Sequence, residues 1–105
     1  MAIHIKDKED FESKLTDAGD HLVVVDFYAT WCGPCKMISP KVEELAKELT
    51  NVLFLKVDVD ECEDLAVEYN IMSMPTFVFI KNKQTLTTFS GAHFERLNEL
   101  IQEHK

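Results

Sequence analysis

An apolar run, a pair of cysteines and a helical repeat follow one another directly between positions 22 and 49. The apolar run covers residues 23–25 and 27–29 almost without a break, which is typical of a central parallel strand covered on both faces. Beyond the cysteines, apolar residues recur at helical spacing, at Met37, Ile38, Val42, Leu45, Ala46 and Leu49. Cys32 and Cys35 are therefore predicted to lie where a buried strand gives way to the first turn of a helix.

The rest of the chain alternates between the same two kinds of pattern. Apolar runs at 2–5, 52–59 and 77–80 predict strands, and helical spacing predicts further helices after Asp7, after Asp60 and after Gly91. A polar connection at 82–84 joins the run at 77–80 to a further run at Leu86, Thr88 and Phe89, which predicts a hairpin. The predicted order is βαβαβαββα, an α/β fold with a mixed sheet and helices on both faces, in a single domain that covers residues 1–105.

The charge of the chain and its apolar stretches narrow the classes of function. A net charge of −8 argues against a general binder of nucleic acid or of anionic membranes, which would need a basic face. No stretch approaches the roughly 18 apolar residues of a membrane span, and the first residues do not resemble a signal peptide. Three cysteines are too few for a disulfide-rich secreted scaffold. We therefore expect a cytoplasmic protein, and nuclear entry stays open.

The spacing of Cys32 and Cys35 suits a disulfide that opens and closes. Residues three apart on a helix share a face, with Cβ atoms roughly 5–6 Å apart, and such a pair can be bridged without large backbone movement. The unpaired N–H groups at the helix N-terminus favour a thiolate at Cys32. Cys35, one turn deeper, is expected to be less exposed. Cys32 would attack a partner's disulfide, and Cys35 would resolve the mixed disulfide that forms.

The neighbours of the two cysteines fit this chemistry. Pro34 is tolerated in the first turn of a helix, because its missing N–H would have no partner there. Gly33 allows another chain to approach closely, and Trp31 offers a flat apolar wall beside the attacking sulfur. These three residues are therefore candidates for the site.

Two other interpretations of the cysteine pair are open at this point. The pair can be half of a zinc site, which usually needs four ligands. The remaining cysteine, Cys62, is isolated, and the four histidines show no ligand spacing. The pair can also be a chance occurrence in a loop, which the strand-to-helix context disfavours. The redox interpretation is favoured, and no metal site is expected.

Four segments spread along the chain resemble the thioredoxin family, and the match runs through essentially the whole chain. They are residues 26–36 (DFYATWCGPCK), 56–60 (KVDVD), 74–77 (MPTF) and 90–92 (SGA). Residues 60–64 (DECED) are most similar to animal cytosolic members. The resemblance implies the thioredoxin fold, a central five-strand mixed sheet in the order 1-3-2-4-5 flanked by four helices. Strands 1 to 3 would be parallel, and strands 4 and 5 antiparallel.

The same resemblance implies a protein-disulfide reductase that carries electrons through its own cysteines. No cofactor would be bound, and electrons would come from NADPH through a flavoprotein thioredoxin reductase. Family partners would include peroxiredoxins, methionine sulfoxide reductases and ribonucleotide reductase. In this family the Gly33-Pro34 pair accompanies reducing behaviour. Some animal members carry a cysteine that links two molecules where this chain has Ser73, so a monomer is expected here.

Asp26 is the best-supported candidate for a catalytic residue outside the cysteine pair. A carboxylate inside an apolar strand is costly to bury in ionised form, so burial is expected to raise its pKa. The resemblance implies that Asp26 takes the proton of Cys35, either directly or through a water. The alternative is a strand-end aspartate that reaches solvent. Lys56, in the neighbouring strand, is predicted to tune Asp26 electrostatically, unless it is an ordinary solvated lysine.

The resemblance also implies a shallow apolar groove that receives an extended substrate segment. A cis bond before Pro75 would expose backbone groups of Met74 for pairing. The predicted groove residues are Trp31, Val59, Ile71, Met74, Pro75, Gly91 and Ala92, with partial core packing as the alternative for each. Cys62 shares a helical face with apolar neighbours, which favours a buried, inert thiol over a regulatory one.

Two rival functions stay open from the sequence. One is an oxidase or isomerase domain of a secretory pathway, against which the missing signal and retention sequences count. The other is a binding module, in which the same groove holds a partner and the redox state merely switches the interaction. A disulfide reductase is the favoured prediction.

Overall fold

The chain of 105 residues, all described by a computed structural model, forms five strands and four helices. In chain order they are β1 (Ile3–His4), α1 (Lys8–Ala18), β2 (Leu22–Tyr28), α2 (Gly33–Glu48), β3 (Val52–Asp58), α3 (Glu63–Glu68), β4 (Thr76–Lys81), β5 (Gln84–Ser90) and α4 (Phe94–His104). The predicted order of strands and helices is confirmed. The ends differ from the predicted bounds by one or two residues.

The strands pair into one sheet in the order β1-β3-β2-β4-β5. β3 pairs in parallel with both β1 and β2, whereas β4 is antiparallel to β2 and to β5. β2 thus lies at the centre, which agrees with its nearly unbroken apolar sequence. The fold implied by the resemblance, a mixed sheet of order 1-3-2-4-5 with four helices, is confirmed.

Local signals in the sequence set the ends of the helices. Asp7 caps α1 by accepting the N–H of Asp10 at 2.8 Å. Gly19 ends the same helix with a φ of 59°, a conformation that costs glycine little. α2 begins after Cys32 and continues through Pro40 to its end, so this proline does not terminate the helix.

Two apolar cores cover the two faces of the sheet. One contains the inward residues of α1 and α3, such as Phe11 and Leu65, against odd-numbered positions of β2. The other contains residues of α2 and α4, such as Ile38 and Leu97, against even-numbered positions of β2. β2 is thereby covered on both faces, and the two cysteines at the start of α2 form a small cluster of their own with Ala29. None of the helices is long and apolar enough to cross a membrane.

Candidate active site

Cys32 and Cys35 are joined by a disulfide at the start of α2. Their Cα atoms are 5.3 Å apart, within the range that a disulfide accepts. Cys32 is the N-cap residue, and Cys35 lies in the first turn of the helix. The arrangement predicted from the spacing is therefore present, in its oxidised form.

The sulfur of Cys32 lies against the amino end of α2. The backbone N–H of Cys35 donates a hydrogen bond to Cys32 Sγ at 3.2 Å. Pro34 also lies in this first turn. Its missing N–H breaks no hydrogen bond of the helix, because the first N–H groups of a helix have no helical partner. This sulfur thus lies where partial positive charge of the helix favours an anion.

Cys35 was expected to be less exposed than Cys32, and this is wrong for the oxidised protein. Each residue exposes 6% of its surface. Val59 and Met74 pack against the small cluster that the two cysteines form, and the carbonyl oxygen of Met74 lies 3.7 Å from Cys32 Sγ. The expectation considered only the positions of the two cysteines along α2, whereas residues distant in sequence, Val59 and Met74, cover Cys32.

The surface beside the disulfide is open and apolar. Trp31 exposes 67% of its surface, and its indole N–H donates to Asp60 Oδ2 at 2.9 Å. Apart from its two chain neighbours and the backbone of its own helix, no atom lies within 4 Å of the point that a Cβ on Gly33 would occupy. A partner chain can therefore approach the disulfide over Gly33 and beside the indole ring.

The other predicted groove residues divide into two sets. The Met74–Pro75 bond is cis, and the carbonyl oxygen of Pro75 accepts the N–H of Gly91 at 2.8 Å, so these residues lie together. Ile71 and Ala92 are partly buried and pack against the two cores. Their partial core packing agrees with the alternative named for them, and their place in a substrate groove stays a prediction.

Asp26 is buried in the middle of the sheet, as predicted. It exposes 5% of its surface, and its Oδ1 has no hydrogen-bond partner within the chain. Burial raises the pKa of Asp26 from 3.8 to about 7; the Lys56 ammonium group lowers this pKa, and the Glu43 carboxylate raises it. Near neutral pH this carboxyl group can therefore either hold or release a proton.

Asp26 and Cys35 line the same cavity, which has a volume of about 210 Å³. It has room for more than one water molecule. Its walls are formed by Asp26, Tyr28, Ala29, Thr30, Cys35, Lys36, Ser39 and Lys56. Asp26 and Cys35 thus border one common space.

Lys56 lies directly across from Asp26 in the β2–β3 register, but its ammonium group is elsewhere. Lys56 Nζ lies 4.9 Å from the centroid of the Tyr28 ring, over its face. None of the four ion pairs of the chain joins Lys56 to Asp26. The lysine therefore acts on the carboxyl group through space and not through a salt bridge.

Cys62 lies apart from the disulfide. It exposes 2% of its surface, and its thiol is directed at the carbonyl oxygens of Lys6 and Ile5, at 3.6 and 3.8 Å. No group of three or more His, Cys, Asp or Glu side chains is placed to hold a metal ion. A buried thiol was the favoured interpretation of Cys62, and its burial is confirmed.

Sequence reasoning gave no role to Tyr28 and Ser39, which line the cavity, or to Asp60, which accepts the hydrogen bond of the Trp31 indole. The periodicity contains a signal for two of them, because Tyr28 is two residues beyond Asp26 on a strand and Ser39 is four beyond Cys35 on a helix. Asp60 lies in the turn after β3, and no periodicity connects it with Trp31.

Comparisons with known proteins agree with this geometry. The family model of thioredoxin matches residues 2–103. The chain is 52% identical to human thioredoxin over 103 residues, which covers 98% of each chain. It is 51% identical to thioredoxin-T of Drosophila melanogaster over 105 residues, which covers 99% of this chain and 67% of that protein. The X-ray structure of Fasciola hepatica thioredoxin superposes with a TM-score of 0.96 at 48% identity, covering 98% of this chain and 99% of that one.

Proposed function

Because the chain belongs to the thioredoxin family and is a disulfide oxidoreductase with a redox-active cysteine pair, we propose that it reduces protein disulfides and is recharged by an NADPH-dependent thioredoxin reductase. The observation that carries the proposal is the Cys32–Cys35 disulfide at the amino end of α2, where Cys32 Sγ accepts the Cys35 N–H. The same contact would stabilise the thiolate that must attack a partner.

The first chemical step takes place at Cys32. In the reduced protein its thiolate attacks one sulfur of a partner's disulfide, so that a Cys32–partner disulfide forms and the partner's other sulfur leaves as a thiolate. The exposed surface at Gly33 and Trp31 supports this step, since it leaves the approach to the disulfide open.

The second step releases the partner. The thiol of Cys35 gives its proton to the Asp26 carboxylate through the shared cavity, and the resulting thiolate attacks Cys32 Sγ. The Cys32–Cys35 disulfide forms, the partner's second sulfur leaves, and two electrons have passed to the partner. A carboxyl group whose pKa is about 7 suits this role, because it accepts and returns a proton near neutral pH.

A disulfide-bearing segment of the partner is proposed to bind in extended form beside the cis bond of Pro75. The carbonyl oxygen of Met74, 3.7 Å from Cys32 Sγ, lies where a partner backbone could pair with it. The remaining groove would be formed by Trp31, Val59, Ile71, Gly91 and Ala92. The proposed partners are thioredoxin reductase, peroxiredoxins, methionine sulfoxide reductases and ribonucleotide reductase, met in the cytoplasm by a monomeric protein.

Reduction of insulin disulfides, followed by the consumption of NADPH in the presence of thioredoxin reductase, tests this function. The wild-type protein is expected to support many turnovers, and Cys32→Ser none. Cys35→Ser should accumulate a mixed disulfide, whereas Cys62→Ser, a matched change away from the site, should remain active. A Cys32→Ser protein that still reduces insulin, or a wild-type protein that does not, would contradict the proposal.

A further inference from the structure

The position of the Lys56 ammonium group is unexpected for a lysine that lies across from a buried carboxyl group. Asp26 Oδ1 has no hydrogen-bond partner within the chain, although Lys56 is its direct neighbour in the β2–β3 register. A buried carboxylate and an ammonium group within reach ordinarily form a charge-assisted hydrogen bond. Instead, Lys56 Nζ lies over the ring of Tyr28, 4.9 Å from its centroid.

Space alone does not keep Lys56 away from Asp26. Both side chains, together with Tyr28, line the cavity of about 210 Å³. A flexible lysine stem could therefore carry its ammonium group through this space to the carboxyl group. What competes for the ammonium group is the π-face of Tyr28, and such cation–π contacts strengthen when they are partly removed from water.

We propose that Tyr28 is a positioning residue, whose ring holds the Lys56 ammonium group away from Asp26 and so leaves the buried carboxyl group free to exchange a proton with Cys35. The ring acts through its face and not through its hydroxyl group. Burial raises the pKa of the Tyr28 phenol from 10.0, so the phenol is neutral at physiological pH and presents no charge to the lysine.

The charged and titratable groups around Asp26 lie on three elements. β2 contributes Tyr28, β3 contributes Lys56, and α2 contributes Cys35, Lys36 and Glu43; β4 places the apolar Phe77 beside Asp26. The contact between Lys56 and the Tyr28 ring is the one that a substitution of Tyr28 would abolish. The inference deepens the proposed function, on which its kinetic consequence rests, but the position of Lys56 and the titration of Asp26 can be measured without any activity.

The test is a pH titration of the Asp26 carboxyl carbon by NMR in the disulfide form of the protein. In Tyr28→Leu, we expect Lys56 to turn toward Asp26 and the Asp26 pKa to fall by at least about 1, the effect of an opposite charge at short range. Tyr28→Phe keeps the ring face and should titrate like the wild type. An unchanged pKa in Tyr28→Leu, or an equal fall in Tyr28→Phe, would overturn the proposal.

A double variant distinguishes the movement of Lys56 from the chief alternative cause of a lower Asp26 pKa. Loss of the ring could also admit water to Asp26, which would lower its pKa without any movement of Lys56. Tyr28→Leu combined with Lys56→Met should therefore restore the pKa to the wild-type value or above it. If the double variant titrates as low as Tyr28→Leu alone, hydration is the cause and the proposal is wrong.

A direct measurement in the wild type keeps the proposal testable if the Leu variant does not fold. The ring current of Tyr28 should shift the ε-methylene protons of Lys56 upfield relative to those of exposed Lys83. Absence of that shift would overturn the proposal. The rate of partner release should follow the titration of Asp26 in each variant; if the titration moves and the rate profile does not, the placement of Lys56 holds and the proposed role of Asp26 fails.

Discussion

The indole N–H of Trp31 donates a hydrogen bond of 2.9 Å to Oδ2 of Asp60, which lies 29 positions further along the chain. The turn that carries Asp60 is itself held, because its backbone N–H donates to Asp58 Oδ1 at 2.9 Å. An otherwise exposed ring is thereby fixed at one edge. The surface that a partner meets beside the disulfide is thus partly ordered before binding, which lowers the entropy that binding must cost.

Replacement of Asp60 by alanine should loosen Trp31 with little effect on stability. The hydrogen bond is exposed to solvent, so we expect the free energy of unfolding to change by no more than about 1 kcal/mol. The indole ring should move more freely, which time-resolved fluorescence anisotropy would detect, and KM for insulin should rise more than kcat falls. Asp60→Asn is the control, because its side-chain oxygen still accepts the bond; an Asn variant as mobile as the Ala variant would contradict this account.

Asp26 should make the oxidised protein less stable as the pH rises. Its pKa is 3.8 when unperturbed and about 7 in the folded chain, so between these values the folded state binds more protons than the unfolded state. Stability is therefore fully present below about pH 4, falls as the pH climbs to about 7, and levels off above it. A difference of about 3 between the two pKa values corresponds to a loss on the order of 4 kcal/mol.

Denaturant unfolding of wild type and Asp26→Asn across this pH range measures the effect. The variant cannot ionise at this position, so its advantage over the wild type should grow from pH 4 to pH 7 and then stay constant. Its turnover at neutral pH should be lower by about tenfold or more, because the proton acceptor is gone. Asp20→Asn, at an exposed position, is the control. A stability difference independent of pH would show that folding does not raise the pKa of Asp26 and would contradict this account.

Lys56 and Glu43 should change the Asp26 pKa in opposite directions. Burial is the largest cause of the raised pKa, and the lysine opposes it while the glutamate adds to it. Lys56→Met is therefore expected to raise the pKa above about 7, and Glu43→Gln to lower it. Glu43 is held by the backbone N–H of Ala2 at 3.3 Å, which fixes its distance from the sheet. NMR titration of the Asp26 carboxyl carbon would measure both shifts, and equal signs would contradict this interpretation.

The strand order of the sheet was implied by the family resemblance, whereas the order of strands and helices along the chain and the position of the cysteine pair could be predicted from the residues because both depend on short-range patterns. The apolar run of β2, the cap at Asp7 and the three-residue cysteine spacing each act within a few residues. Burial of Asp26 was predictable for the same reason, since a strand with apolar neighbours on both sides leaves its inner residues no access to water.

Features that depend on the ends of long side chains, or on distant turns, could not be predicted. No periodicity indicates that the ammonium group of Lys56 lies over Tyr28, because a lysine stem reaches several places from one Cα. The cover over Cys32 comes from Met74, which is 42 positions away. The groove was predicted from the family resemblance and not from residue spacing. Ile71 and Ala92 pack against the cores, so their apolar character does not distinguish groove residues from core residues.

The three thiols of the reduced protein should differ in reactivity, since their surroundings differ. Burial raises the pKa of the Cys62 thiol from 9.0, and nearby carboxylates, Glu61 foremost, raise it further. The side chain is also enclosed between α3 and the segment after β1. Cys32 has the opposite surroundings, since an N–H donor reaches its sulfur and the surface beside it is open.

Alkylation by iodoacetamide at pH 7 should therefore modify Cys32 first and Cys62 last. For the buried thiol, reaction requires a local opening of the native fold, so we expect a rate at least about 100-fold below that of the same residue in the unfolded chain. Cys32 should react faster in the folded protein than in the unfolded one, because only there does α2 favour its thiolate. Mass spectrometry of the alkylated peptides over time separates the sites, and Cys62→Ser confirms the assignment. If Cys32 reacted no faster in the folded protein than in the unfolded one, the helix N-terminus would not activate its thiolate. The proposed first step of disulfide reduction would then be contradicted.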